Sequence, residues 1–255
     1  MSSIKAVLFD LSGVLYEGDT ALPGAITAIE RLSQTGIPIR FVTNTTRSTR
    51  EDILHRLQKM GFSIHTDQLF TAPTAVHDYL SKSALSPYLV VHPALATEFA
   101  DLAAGNLPAV VIGDAADAFT YDHLNTAFRL LMQGAPLLAM GKNRYFKESD
   151  GLSLDMGPFV VSLEFAAGVE AVIIGKPSRE FFAAAVDSTG CQMSEVVMIG
   201  DDVMADVVGA LDAGLQAVLV RTGKYRNGDE KQLQGRGHCV ADISAAVTLI
   251  MEGLH

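Results

Sequence analysis

Four short polar segments hold the residues of this sequence that are able to do chemistry, and each directly follows an apolar run. They are residues 10–14, 43–46, 175–178 and 200–206. The run before Asp10 has the composition of a buried strand, and the other three runs are similar. Because the carboxyl ends of parallel strands meet at one edge of a sheet, we expect the four segments to share one crevice.

Together these segments contain carboxylates, one lysine, and hydroxyl and amide donors. Clustered carboxylates repel one another unless a cation lies among them, and hard oxygen ligands favour Mg²⁺. Lys176 would neutralise the charge of a phosphoryl group, to which Thr43 and Asn44 would donate hydrogen bonds. Asp10 would then attack phosphorus to form an aspartyl-phosphate, which water would hydrolyse.

Each segment also has an ordinary structural interpretation. An isolated aspartate after a strand, such as Asp10, is more often a turn or cap residue, and Asp201 or Asp202 would suit a helix N-cap. Lys176 is not part of a Walker loop, because Glu170 stands where that pattern requires its first glycine. Four such segments in order, each after a strand, favour the shared site over four unrelated turns.

The composition indicates a globular protein with a large core. The chain has 255 residues, of which 49% are hydrophobic, and its formal net charge of −10 disfavours nucleic acid as a partner. The two cysteines, Cys191 and Cys239, have neither CxxC nor zinc-site spacing, which favours a reducing compartment. We see no signal peptide and no apolar run of membrane-spanning length, and we expect a cytoplasmic protein.

Strand-like and helix-like runs alternate at both ends of the chain, which predicts a parallel sheet with helices on both faces. The predicted strands are residues 4–10, 37–43, 171–174, 195–199 and 216–220. Predicted helices include residues 179–189 and 204–213. The fold class is therefore α/β, with a Rossmann-like doubly wound core.

The middle of the chain has an α/β pattern of its own. Strands are predicted at residues 88–91, 109–112 and 136–140, and helices at 95–104 and 121–133. This segment is long enough to form a separate domain. We predict a discontinuous core domain of residues 1–77 and 171–255, with an inserted α/β cap domain of residues 78–170.

The four motifs in this order resemble the haloacid dehalogenase superfamily of phosphatases and phosphotransferases over nearly the whole chain. The long insertion is similar to the large α/β cap, the C2 or NagD-like type, of the N-acetylglucosamine-phosphate and 4-nitrophenyl phosphatases. The cap segments that carry this likeness are residues 119–121, 124–125 and 150–152. Residues 10–15, 43–46, 141–145 and 157–160 resemble most the branch with the phospholysine phosphohistidine inorganic pyrophosphate phosphatase.

The resemblance implies a role for each matching residue. Asp10 would be the nucleophile and a Mg²⁺ ligand, Ser12 would offer its backbone carbonyl to the metal, and Asp201 would be the remaining direct ligand. Thr43, Asn44 and Lys176 would hold the phosphoryl group. Asp202 and Asp206 would orient metal-bound water or the lysine. Since caps of this kind often pair, we expect a homodimer that acts on a small phosphorylated substrate.

Ser12 departs from the family pattern, which usually has an aspartate there as general acid and base. Such assistance is typically worth about 10²–10⁴-fold in rate, and a serine hydroxyl is a poor acid. We therefore expect a preference for phosphoramidates, pyrophosphate or aryl phosphates, whose leaving groups need little protonation. Glu17 or Asp19 would be a substitute acid, although both suit a solvated loop.

Two other functions are compatible with parts of the pattern. A phosphoryl-binding or sensing protein would have lost turnover along with the acid at position 12, although simple binding does not require Asp10. A signalling receiver domain also uses an aspartate, a lysine and an acidic pair, but it is too short to account for this chain and its insertion.

Overall fold

The computed structural model describes residues 4–147 and 151–253. Asp150, the first residue of the cap segment 150–152 that carries part of the family likeness, therefore lies outside the described residues. The strands, numbered along the chain, are β1 (Ala6–Asp10), β2 (Tyr16–Glu17), β3 (Thr20–Ala21), β4 (Ile39–Thr43), β5 (Leu69–Thr71), β6 (Leu85–Val90), β7 (Leu107–Ile112), β8 (Leu137–Ala139), β9 (Tyr145–Lys147), β10 (Leu152–Leu154), β11 (Val172–Ile173), β12 (Val196–Gly200), β13 (Gln216–Val220) and β14 (His238–Val240).

The α-helices are α1 (Ala25–Ser33), α2 (Arg50–Lys59), α3 (Ala72–Lys82), α4 (Tyr121–Met132), α5 (Gly157–Ala167), α6 (Arg179–Asp187), α7 (Gly209–Ala213) and α8 (Ile243–Met251). A π-helical turn, Val203–Val208, leads directly into α7. Short 3₁₀ turns lie at Thr66–Gln68, Pro93–Phe99, Ala116–Ala118, Met193–Glu195 and Asp229–Leu233. No helix in the described ranges has the length and apolar character needed to cross a membrane.

The larger sheet has six strands in the order β14-β13-β12-β1-β4-β5. β1 pairs in parallel with both β4 and β12, and β12, β13 and β14 continue the parallel pairing. β4 and β5, which follow β1 in the chain, lie on one side of it. The later strands β12, β13 and β14 lie on its other side. The carboxyl end of β1, where Asp10 lies, is therefore the topological switch point at which such sheets place their ligands.

Both faces of this sheet are covered by apolar side chains. Phe9 and Phe41 stack with their ring centroids 6.0 Å apart, within a core cluster that includes Leu32 of α1 and Val247 of α8. Leu8 is fully buried but lies outside that cluster, since alternate residues of a strand point to opposite faces. The doubly wound α/β architecture predicted from the alternating runs is confirmed.

The smaller sheet has four parallel strands in the order β11-β8-β7-β6. The sequence pattern predicts that β11, which precedes Lys176, ends in the same sheet as β1. That prediction is wrong, because β11 pairs with β8. A strand of two residues holds too little apolar pattern to indicate its partner. The turn at Pro93–Phe99 is 3₁₀, where an α-helix over residues 95–104 was expected.

The chain separates into two compact units by its internal contacts. The first consists of residues 1–43, 51–70 and 176–255, and the second of residues 44–50 and 71–175. These ranges differ from the predicted core (1–77 and 171–255) and cap (78–170) by a few residues at each boundary. They also place the short segment 44–50 in the second unit, which the sequence did not suggest. The assignment of an inserted cap domain stays a prediction.

Candidate active site

Three predicted site residues end or follow neighbouring strands of the six-stranded sheet. Asp10 is the last residue of β1 and lies opposite Val42 of β4. Thr43 ends β4 one residue further on and is buried. Asp201 follows the last residue of β12. The parallel pairing therefore brings Asp10, Thr43 and Asp201 to one edge of the sheet, as the sequence predicts.

Lys176 lies among the carboxylates and is almost fully buried. Its Nζ donates to Oδ1 of Asp10, and to Oδ1 of Asp206 at 2.7 Å. Burial alone would lower the pKa of Lys176, but the two carboxylates outweigh burial and raise it. The lysine is therefore a permanent cation held between the strand-end carboxylate of Asp10 and the carboxylate of Asp206.

Asp10, Asp201 and Asp206 form a cluster that we call the carboxylate cluster. One carboxylate oxygen of each lies within 4.8 Å of the others, and all three residues are buried. Burial raises the pKa of Asp201 to about 6, with a further contribution from the charge of Asp10. Burial also raises the pKa of Asp206, and the charges of Asp10 and Asp201 add to this effect. The charge of Lys176 lowers that pKa but does not cancel the increase. The positive charge of Lys176 therefore does not fully offset the burial and the mutual repulsion of the three carboxylates.

Asp201 offers a direct test of whether a cation fits here. Its Oδ2 accepts a hydrogen bond from the backbone N–H of Lys224 at 2.7 Å. Its Oδ1 is buried and has no hydrogen-bond partner among the described residues. A buried carboxylate oxygen without a partner is costly unless a ligand satisfies it. Three carboxylates that converge, one of which has an unpartnered oxygen, are the ligand chemistry that Mg²⁺ prefers.

The loop that follows β13 completes the walls of the cluster, and sequence reasoning missed it. Thr222 donates from Oγ1 to the carbonyl of Gly13, and Lys224 donates its N–H to Asp201. Gly13 has a φ of +87°, and a Cβ there would lie 2.1 Å from Oδ2 of Asp201. A signal was available, because residues 222–224 are a fifth polar segment after an apolar strand.

Asp202 supports the cluster from the neighbouring turn. Its side chain caps the π-helical turn by accepting from the N–H of Met204 at 3.1 Å and of Ala205 at 3.0 Å. It also pairs with Nζ of Lys224 at 3.1 Å. Its own N–H donates to Oδ2 of Asp206 at 3.2 Å. Asp206 therefore accepts from Lys176 with one oxygen and from the Asp202 backbone with the other.

The contacts described for the carboxylate cluster do not include Thr43, Ser12 or Asn44. Ser12 is exposed and forms an isolated bridge with Tyr16. Asn44 follows Thr43 directly but groups with the second unit, where its Oδ1 would lie 3.1 Å from a Cβ at Gly175. The roles predicted for the Ser12 carbonyl and for Asn44 stay predictions.

The two alternative acids considered from the sequence are exposed. Asp19 pairs with Arg56, whose Nε lies 2.9 Å from its Oδ1. Arg56 also donates to the carbonyl of Gly18 and lies over the ring of Tyr16. Asp19 therefore has a structural partner of its own at the tip of the β2–β3 hairpin.

The sequence and the fold were compared with known proteins. A family model described as haloacid dehalogenase-like hydrolase matches residues 7–104, and a second, HAD-hydrolase-like, matches residues 173–246. The human haloacid dehalogenase-like hydrolase domain-containing protein 2 is 47% identical over 231 residues, which cover 91% of this chain and 89% of the relative. The zebrafish (Danio rerio) phospholysine phosphohistidine inorganic pyrophosphate phosphatase is 43% identical over 258 residues, covering 98% and 96%.

Among solved structures, NagD from E. coli K-12 has a similar fold. Its TM-score is 0.82 at 22% sequence identity, and the match covers 95% of this chain and 98% of that one. The resemblance to the NagD-like subgroup, close to the phospholysine phosphohistidine inorganic pyrophosphate phosphatase branch, is confirmed.

Proposed function

Since this chain belongs to the haloacid dehalogenase-like hydrolase family, we propose that it is a Mg²⁺-dependent phosphatase that acts through an aspartyl-phosphate on Asp10. The zebrafish relative is itself named as a phosphatase. The observation that carries the proposal is Lys176, whose Nζ joins Asp10 to Asp206 in the cluster that also contains Asp201 with its unpartnered oxygen. A nucleophile, a buried cation and an unsatisfied ligand atom occur together.

Asp10 and Asp201 would hold the Mg²⁺ ion together with the Ser12 carbonyl, and Asp206 lies close enough to contribute an oxygen or to orient a bound water. When bound, Mg²⁺ supplies positive charge that offsets the negative charge of the phosphoryl oxygens. The raised pKa of Asp201 reflects a carboxylate that a cation would stabilise in its ionised form.

In the proposed reaction, an Asp10 carboxylate oxygen forms a bond to phosphorus. The bond between phosphorus and the leaving group breaks, and the leaving group keeps the electron pair and gains a proton. A water molecule then attacks phosphorus, which releases inorganic phosphate and restores the Asp10 carboxylate. Lys176, Thr43 and Asn44 would stabilise the charge on the phosphoryl oxygens during both steps.

We propose that the substrate is a small phosphorylated molecule with a leaving group that needs little protonation. Ser12 lies where the family usually has its acid, and the exposed Asp19 is paired with Arg56. A phosphoramidate, a pyrophosphate or an aryl phosphate fits this requirement. The zebrafish relative's name refers to phospholysine, phosphohistidine and pyrophosphate, which are of this class.

We also propose a cytoplasmic homodimer. Both cysteines, Cys191 and Cys239, are free, which suits a reducing compartment. The dimer rests on the resemblance to capped relatives, and sedimentation equilibrium of the purified chain would give its oligomeric state.

The proposed function is tested by hydrolysis of p-nitrophenyl phosphate, a phosphoramidate, pyrophosphate and glycerol phosphate, with Mg²⁺ or with EDTA. We expect turnover that EDTA abolishes, and an Asp10→Asn variant that is folded but inactive. The phosphoramidate or the aryl phosphate should be hydrolysed faster than glycerol phosphate. Binding of inorganic phosphate without turnover of any substrate would instead favour a phosphoryl-sensing protein.

A further inference from the structure

The segment that follows Thr43, residues 44–50, bonds to the rest of the second compact unit. Its last residue, Arg50, donates its N–H to Oε1 of Glu98 at 2.9 Å, and two consecutive residues nearer Thr43 bond to another part of the unit. Thr46 is buried, and its Oγ1 accepts a hydrogen bond from the N–H of Asp114 at 3.3 Å. Arg47 donates from Nε to Oδ2 of Asp114 at 2.6 Å and from a terminal nitrogen to Oδ1 at 3.3 Å. Both contacts therefore converge on one aspartate just beyond the end of β7.

The Arg47–Asp114 pair differs from an ordinary surface ion pair. The Asp114 side chain is 6% exposed and the Arg47 side chain 35% exposed, and two nitrogens of the guanidinium donate to the two oxygens of this one carboxylate. The guanidinium also lies 4.5 Å from the ring centroid of Phe146 on β9. Oδ1 of Asp114 accepts from the N–H of Ala116 at 3.0 Å, so the carboxylate is itself held in place. Because two hydrogen bonds join the side chains and both side chains are at least partly buried, the pair fixes the orientation of the guanidinium as well as its distance.

We call the contacts of Thr46 and Arg47 with Asp114 the anchor. Asn44 lies close to the anchor along the chain, and its side chain lies near Gly175. It precedes Thr46 by two residues and Arg47 by three. On its other side it packs against Gly175, where a Cβ would lie 3.1 Å from its Oδ1. The position of the Asn44 side chain therefore depends on the anchor that follows it and on the glycine that it touches.

We propose that Arg47 is a positioning residue that acts through Asp114 to hold Asn44 in the geometry that binds the phosphoryl group. This inference rests on the proposed function, because it requires Asn44 to bind that group. The guanidinium of Arg47 contacts Asp114 and Phe146, and its proposed effect on the substrate passes through Asn44.

The test measures the inhibition constant of inorganic phosphate against p-nitrophenyl phosphate, with saturating Mg²⁺, in wild type and Arg47→Gln. Losing both guanidinium contacts should loosen residues 44–47, so the inhibition constant and KM should each rise about tenfold. The kcat should fall less than that. Affinity for Mg²⁺ alone, measured calorimetrically, should not change, because the carboxylate cluster is intact.

Lys142→Gln is the matched control. Lys142 pairs with Glu164 at 2.8 Å in the same unit, with comparable exposure, and this pair has no described contact with residues 44–50. Its loss should leave the phosphate inhibition constant unchanged. Asp114→Asn should reproduce the effect of Arg47→Gln, and the double variant should be no worse than the more affected single variant. Arg47→Lys should restore only part of the affinity, since an ammonium group cannot make both contacts.

The outcomes separate this inference from the proposed function. An active wild type with an Arg47→Gln variant that keeps the wild-type inhibition constant would overturn the positioning role alone. An equal loss in Lys142→Gln would show a general effect of weakening the second unit, and would also overturn it. If Arg47→Gln does not fold, Arg47→Lys and Asp114→Asn decide the question by the same constant. A wild type that neither hydrolyses nor binds phosphate would overturn both proposals.

Discussion

Lys176 balances the charges at the centre of the candidate site. Its Nζ is the shared donor to Asp10 and Asp206, in surroundings where an unpaired charge would be costly. Asp201 is the carboxylate that this lysine does not satisfy, since its Oδ1 is buried without a partner among the described residues. These features support our proposal that a phosphoryl group and a divalent cation bind here.

Removing the lysine charge should destabilise the protein as well as inactivate it. We expect Lys176→Met to lose about 3–5 kcal/mol of the free energy of unfolding in metal-free buffer, because two buried carboxylates lose their cation. Urea denaturation provides the measurement. The control is Lys5→Met, which breaks the exposed Lys5–Glu195 pair and should change stability little. Equal stability of Lys176→Met and wild type would mean that the buried pairing is not present in solution.

Ser12 is the residue that limits the reaction in this account. Ser12→Asp should raise kcat for glycerol phosphate by about 10²–10⁴-fold, since it restores a general acid, and should raise it less for p-nitrophenyl phosphate. Steady-state kinetics on both substrates measures this. Ser12→Asn has a similar shape but no acid and should show no such gain. If the aspartate variant gains nothing over the asparagine variant, another residue already supplies the proton.

At the scale of elements, the site is assembled by the turns that follow strands. The six-stranded sheet aligns Asp10, Thr43 and Asp201, and the π-helical turn after β12 adds Asp206. In that turn the N–H of Val207 reaches the carbonyl of Asp202, five residues earlier in the chain. Such widened turns are frequent at functional sites.

The absence of a side chain at Gly13 should be needed for the Asp201 carboxylate to keep its position and bind the metal ion. Gly13→Ala would place a Cβ 2.1 Å from Oδ2 of Asp201 and would strain a φ of +87°. We expect at least a tenfold loss of Mg²⁺ affinity by isothermal titration calorimetry, because the Asp201 carboxylate must move. Gly18→Ala is the control, since Gly18 has a φ of +54° and open space around it. Equal losses in the two variants would point to backbone strain alone.

At the scale of the whole molecule, the sequence predicts those features that depend on residue type and local pattern. Continuous apolar runs predict β1, β4 and β13, and the first two of these strands end at Asp10 and Thr43. Sheet membership depends on long-range pairing, so the position of β11 beside β8 was not predictable from two residues.

The same reasoning explains what was missed at the site. Lys224 holds Asp201 through its backbone N–H, a donor that almost every residue type has. Asp206 was predicted as a residue that orients water or the lysine, but the π-helical form of its turn was not, because an apolar pattern over residues 204–213 does not distinguish that turn from an α-helix. The Arg47–Asp114 anchor joins residues 67 positions apart, and nothing in the local pattern indicates that pairing.

The most direct test of the account is whether Asp10 carries a phosphoryl group during turnover. Because Ser12 is a poor base for the hydrolytic water, the aspartyl-phosphate should accumulate. Acid quenching during hydrolysis of p-nitrophenyl phosphate with Mg²⁺, followed by peptide mass spectrometry, should find one phosphoryl group on the peptide that contains Asp10, and none in Asp10→Asn. Phosphate release with that peptide unmodified at every quench time, or with the phosphoryl group on another residue, would contradict the account.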